Sequence, residues 1–227
     1  MTLYTAIGKY ELRKNNHGEK VPFIIIKGKE YELNLWEMIC WSSLMWNICT
    51  FDEISRIFYK KERDAHVLGD QPCEYYLDEL ESKGLIASGH GATGMDALHD
   101  LLTHLYVIPV EANWGTKISA FFHLTFVKGI PYKVTRHIFD KVPMNAGEQK
   151  VWYLTRQNRL SVGELTKCVE CGIMDVSTDE KLVDALYNDD DTTYKNIGEI
   201  FRSSNSEIPV LSAVATLYLN KQIIFER

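Results

Sequence analysis

Long apolar runs are missing from this sequence. None approaches the ~18–20 residues that a bilayer-crossing helix needs, and the longest candidate, 118–127, is interrupted by His123. The N-terminal stretch carries Lys9, Glu11, Arg13 and Lys14 where a signal peptide places its apolar core, so no export signal is expected. Cysteine is scarce. Five in 227 residues, an odd number, suit a reducing cytoplasm better than a disulfide scaffold. The phosphate-binding loops G-x-x-x-x-G-K-[ST] and G-x-G-x-x-G and the hydrolase elbow G-x-S-x-G are absent as well. What remains is 45% apolar, 11% aromatic and 25% charged, the make-up of a packed globule rather than a disordered or collagen-like chain. The expectation is a cytoplasmic protein with no membrane contact.

Charge is unevenly placed within a net of −6. Residues 1–110 hold 11 basic and 16 acidic groups, residues 111–160 hold 8 and 3, and residues 161–227 hold 6 and 12. A basic waist of Lys117, Lys128, Lys133, Arg136, Lys141, Lys150, Arg156 and Arg159 therefore separates two acidic ends. Such cations either meet an anionic partner, acidic protein or phosphate backbone, or pair with the acidic ends of their own molecule. Their density is low for a basic arm, which favours internal pairing.

Apolar and aromatic positions predict strands over 3–13 and 20–27, with hairpin chemistry in 14–18 and a short strand near Tyr31. Helix starts are marked by caps: Asn34 precedes Glu37 by three and Thr50 precedes Glu53 by three, so side chain and carboxylate satisfy each other's free amides. Pro72 opens a third helix over 73–83, Gly84 closes it, and 85–87 return as a strand. The sequence 88–94, Ser-Gly-His-Gly-Ala-Thr-Gly, reads as a joint. Helices follow over 95–106, 117–128 and 132–140. Ser161 with Glu164 and Ser177 with Glu180 mark further starts, Gly172 a stop, Pro209 the first turn of a last helix, and 223–225 a terminal strand. No internal sequence repeat is evident.

Several residue groups invite chemistry and are better read otherwise. Cys168 and Cys171 form a C-x-x-C, but a structural zinc needs four ligands, and Cys40, Cys49 and Cys73 stand apart. His99 and His104 are about 140° apart on a helix and share no face. Counting Asn188 as the first position of a calcium loop places Thr193 where glycine belongs and Lys195 where an apolar residue belongs. Neither metal, cofactor nor catalytic residue is expected, and the protein is read as not an enzyme.

Strands, three short helices and a return strand make a winged-helix-like plan, which raises duplex DNA as a partner. The helix that would enter the groove, 73–83, carries Glu74, Asp78, Glu79 and Glu81 against Lys83 alone. The last helix, 209–220, has no charge, so neither offers a positive footprint. Residues 4–87 resemble the PqqD-like modules that recognise precursor peptides of ribosomally made, modified peptides. The resemblance lies in Phe23-Ile24-Ile25-Ile26 ending a hairpin, Tyr31-Glu32-Leu33-Asn34 entering a helix, Thr50-Phe51-Asp52-Glu53-Ile54, and Tyr76-Leu77-Asp78-Glu79-Leu80 followed by Gly84-Leu85-Ile86. It implies a peptide added as a strand at a sheet edge and packed on the third helix, with Ile25, Lys27, Tyr31, Tyr75, Tyr76 and Glu79 around it.

The expected fold is therefore α+β and mainly helical. It comprises a winged-helix-like module over 1–88, a helical connecting segment over 95–145, and a helical module over 146–227 for which a second winged helix is one reading. The expected function is non-enzymatic recognition of a peptide or protein by strand addition and an apolar groove. The alternative is a DNA-binding transcription regulator using Lys128, Lys133, Arg136, Lys141, Arg156 and Arg159. Self-association into a homodimer is compatible with either.

Overall fold

Gly8 decides how the N-terminal strands are used. Its φ of +92° is open to glycine, and a Cβ there would lie 2.7 Å from side-chain atoms of Ile24 and Ile26. The run expected as one strand over 3–13 therefore breaks in two. In the computed structural model, which describes residues 1–14, 18, 20–67, 69–110, 128, 131, 143–189 and 191–227, β1 (Thr2–Ala6) turns away to pair with β5 (Ile86–His90). β2 (Lys9–Lys14) instead pairs with β3 (Lys20–Ile26), and β3 with β4 (Lys29–Glu32), in a separate antiparallel sheet.

The caps act as expected. Asn34 and Glu37 form a capping box at α1 (Leu35–Leu44), and Thr50 and Glu53 one at α2 (Phe51–Asp64). α3 (Cys73–Ser82) follows Pro72 and ends at Gly84, φ +71°. Trp41 ties these elements together. It is 1% exposed, and its indole N–H donates to the carbonyls of Ile7 at 3.2 Å and Leu85 at 3.1 Å. Around it Ile24, Leu44, Ile54, Phe58, Tyr76 and Leu80 close the first core.

Residues 88–94 do not form a loose joint. Ser88–His90 complete β5, and Gly94 begins α4 (Gly94–Leu102) behind the Thr93–Asp96 capping box. The glycines are there because α4 lies directly on β5: a Cβ on Gly89 would come within 2.5 Å of the Ala97 carbonyl oxygen and the Leu101 Cα. α4 is shorter than the helix expected over 95–106, because Tyr106 already belongs to β6 (Tyr106–Pro109). Apart from Lys128, the helices expected over 117–128 and 132–140 lie outside the described residues.

β6 is the middle strand of a second sheet, between β7 (Leu160–Ser161) and β8 (Ile223–Glu226). With it come α5 (Ala146–Thr155), α6 (Val162–Glu170), α7 (Asp179–Leu186), α8 (Ile197–Ile200) and α9 (Glu207–Leu219). The start of α7 is capped by Thr178, one residue beyond the expected Ser177. Chain order here repeats that of the first half. β1 lies between β5 and a bridge at Cys49, with α1, the bridge, α2, α3 and β5 following in sequence. β6 likewise lies between β7 and β8, with α5, β7, α6, α7, α8, α9 and β8 following, α7 and α8 having no counterpart in the first half.

The match extends to single residues. Asn145 with Glu148 and Ser161 with Glu164 are capping boxes that stand 111 positions after Asn34 with Glu37 and Thr50 with Glu53. α3 buries Cys73, Tyr76, Leu77 and Leu80, and α9 buries Val210, Ala213, Val214 and Leu217 at the same spacing. Both helices close alike: Leu85 N–H donates to Leu80 O and Gln222 N–H to Leu217 O, each at 2.9 Å, around Gly84 and a left-handed Lys221.

The two halves share their packing. Ile7 and Ala87 are buried in the second core, and Gly8 N–H donates to Phe225 O at 2.8 Å. Tyr218, fully buried, accepts from Trp46 N–H at 3.0 Å, and its hydroxyl lies 3.3 Å from Leu44 O. Burial pushes that phenol up to about 12.

Asp189, in the loop that offers a calcium-site reading, has an internal role. Lys167, buried on α6, donates to Leu186 O at 2.5 Å and Asp189 Oδ2 at 3.1 Å, and Thr192 N–H donates to Asp189 Oδ1 at 2.6 Å. Hydrogen bonds from Thr192, then Lys167, hold the Asp189 carboxyl at about 2. A carboxyl depressed below its unfolded value of ~3.9 stabilises the fold above that pH and loses the contribution as pH falls through about 2. Asp189→Asn should therefore lower the urea midpoint at neutral pH, with the gap to the parent protein closing between pH ~4 and pH ~2. A gap independent of pH would contradict this.

Candidate functional site

Two surfaces concentrate chemistry. The first is built on α1 and α3. Asn34 starts α1 so that Trp36 lies in its first turn, stacked on Tyr76 with ring centroids 6.4 Å apart. Tyr76 is 4% exposed, packs on Phe58 at 5.9 Å and points its hydroxyl at Asp70 Oδ1, 3.3 Å away. Burial, then Asp70, raises its pKa. Tyr75 stands edge-on to Tyr76 at 5.4 Å and is 47% exposed; Tyr59, edge-on to Phe58, and Leu35, the first residue of α1, are exposed as well.

The helix that carries Tyr75 and Tyr76 is also acidic. Glu74 and Asp78 are exposed on α3, and their charges with that of Glu81 add to burial in raising the pKa of Tyr4. Glu79 lies 3.9 Å from Lys83, whose amine is also bonded to the buried Glu37. The outer edge of β4 has no partner strand among the described residues.

Of the six residues expected to line a peptide groove, the structure gathers Tyr75, Tyr76 and Glu79 on α3, with Tyr76 in the core beneath Tyr75. Tyr31 is half-buried against the same core. Ile25 pairs with Glu30 while Tyr31 pairs with Ile24, so Ile25 and Tyr31 point from opposite faces of the sheet. Lys27 lies elsewhere, at the β3–β4 turn against the second half. Trp36, Leu35 and Tyr59 were not singled out as site residues. The signal available for them was an aromatic in the first turn of a capped helix and one beside a buried phenylalanine.

The second surface is cationic. A cavity of about 500 Å³ is lined by Lys27, Pro109, Arg156, Asn158, Arg159 and Glu226, among others. An adjoining one of about 490 Å³ shares Lys27 and adds Tyr106, Tyr194 and Lys195. Arg159 is ion-paired with Glu226, and its guanidinium lies 5.8 Å from the centre of the Tyr106 ring. Two of the expected anion-binding residues, Arg156 and Arg159, are thus joined by Lys27. Lys128 is exposed, while Lys133, Arg136 and Lys141 lie outside the described residues.

Other expected chemistry takes structural form. Cys168 is buried, with its thiol pushed up to about 12 by burial, while Cys171 caps α6 at the surface. His99 is buried between Glu207 at 2.7 Å and Glu199 at 3.4 Å. Among the described residues no three His, Cys, Asp or Glu side chains converge as a metal site, and no helix is long and apolar enough to cross a membrane. The chain matches no family model, no curated protein and no solved structure.

Proposed function

We propose that the protein is a non-enzymatic recognition module that takes a basic, extended segment of another polypeptide along β4 and the α1–α3 face. The observation that carries this reading is the half-exposed Tyr75, held edge-on by buried Tyr76 on a helix that also carries Glu74, Asp78 and Glu79. A rigid aromatic anchor with a charged rim is how protein surfaces concentrate binding energy, and an unpaired strand edge supplies main-chain hydrogen bonds. Carboxylates and ring faces together favour lysine and arginine side chains. The repeated strand and helix order supports describing each half as winged-helix-like. Duplex DNA is a poorer occupant of the third helices: α3 faces outward with carboxylates, and the exposed residues of α9 are Ile208, Pro209, Ser212 and Leu219, none of them charged.

An immobilised library of basic peptides, screened with the intact chain at physiological ionic strength, tests the reading. Binders should weaken about tenfold or more with Tyr75→Ala. Their salt dependence should flatten when Glu74, Asp78 and Glu79 become amides. Peptide binding that survives both changes, or tight duplex binding at the same salt, would overturn it.

A further inference from the structure

We propose a second, independent site: the paired cavities around Lys27, Tyr106 and Arg159 bind a small oxyanion, a phosphate or carboxylate group. The site shares no residue with the α1–α3 face.

The first argument is the conformation of Lys27. Ile26 pairs with Lys29, so Lys27 and Gly28 form a two-residue hairpin turn with φ of +48° and +77°. The first position of such a turn favours asparagine, aspartate or glycine, because a longer side chain gains nothing there and its Cβ is crowded. Here a lysine occupies it and aims its amine at the second half of the molecule, 5.5 Å from the centre of the Tyr106 ring.

The second argument is charge. Arg159 approaches the same ring at 5.8 Å, and Arg156 lines the same cavity. Beside Lys27 and Arg159, Glu226 is the one carboxylate among the described lining residues of that cavity, and Arg156 is engaged by a partner of its own. Glu226 already holds Arg159 and accepts from Lys27 N–H at 3.5 Å. In the adjoining cavity Lys195 adds a further cation, while Glu164 is engaged internally by Ser161 N–H and Tyr187 OH, each at 2.6 Å. Among the described lining residues, Lys27, Arg159 and Lys195 thus outnumber the carboxylates Glu226 and Glu164, in a recess open to solvent. Arg159 offers the planar fork that matches an oxyanion, and Lys27 a point charge across from it.

Thermal unfolding of the intact chain should be followed in inorganic phosphate, in succinate and in sodium chloride of equal ionic strength. The midpoint is expected to rise saturably with phosphate or succinate and not with chloride. Whichever anion acts more strongly identifies the phosphate or carboxylate source. Lys27→Asn places the preferred residue in the turn and so keeps the fold, yet should weaken the anion about tenfold, as should Arg159→Gln. Tyr75→Ala should leave it unchanged, which separates this site from the peptide face. No shift beyond chloride, or an equal shift in Lys27→Asn, would overturn the proposal.

Discussion

Gly89→Ala is expected to lower the stability of the whole protein by ~3 kcal/mol or more, read as a fall in the urea midpoint. Overpacking a core by a methyl group costs ~1–3 kcal/mol when neighbouring side chains can turn aside. At Gly89 the neighbours are backbone: the added carbon would meet the Ala97 carbonyl oxygen and the Leu101 Cα at 2.5 Å. Relief requires α4 to lift from β5, which uncovers Leu101 and Leu102 in the second core. Gly94→Ala is the control, because its added carbon meets only the Met1 sulfur at an ordinary 3.6 Å. Equal, small effects of the two substitutions would refute the close approach of α4 and β5.

Trp41→Ala should cost ~4 kcal/mol, near the middle of the range for deleting a large buried aromatic. The indole is 1% exposed, so its removal leaves a cavity, and the carbonyls of Ile7 and Leu85 lose their shared donor. Trp41→Phe keeps most of the volume, losing the N–H and a small part of the ring system, and should cost ~1–2 kcal/mol. Against a total of ~5–15 kcal/mol for a typical domain, the alanine variant should unfold at a markedly lower temperature, with the phenylalanine variant between it and the parent. A phenylalanine variant as unstable as alanine would mean that the hydrogen bonds, not the volume, dominate.

Much of the helical framework was legible because capping is local. Asn34, Thr50 and Ser161 each begin a helix where the glutamate three residues on said they would, and Gly84 and Gly172 end helices in the left-handed conformation. What local patterns could not convey is what a glycine is for. The glycines of 88–94 have loop composition, yet Gly89 and Gly91 serve contact with α4, and Gly8 breaks a strand whose apolar run looks continuous. The repeat stayed hidden because its two parts are out of step. Cap residues recur after 111 positions, whereas α9 follows α3 by 137, the added length being taken up by the region of α7 and α8. In the candidate site, the resemblance named Tyr75, Tyr76 and Glu79, and all three lie on α3. Local patterns could not tell that Lys27 faces the second half, since that depends on packing between distant segments.

Tyr218 has a consequence for how the chain acquires its fold. Its hydroxyl sits 3.3 Å from Leu44 O and 3.5 Å from Ala6 O, partners 174 and 212 positions earlier, and it receives the Trp46 amide from 172 positions earlier. Contacts of such separation form late, after the entropy of a long loop has been overcome. At ~5–20 residues per second, the stretch between Trp46 and Tyr218 takes about 10–35 s to synthesise. Throughout that interval the apolar surface of Ile7, Ile26, Trp46 and Ile48 waits for a covering that the ribosome has not yet produced. The first half is then at its most vulnerable to association with another nascent chain, and the arrival of α9 and β8 ends that exposure.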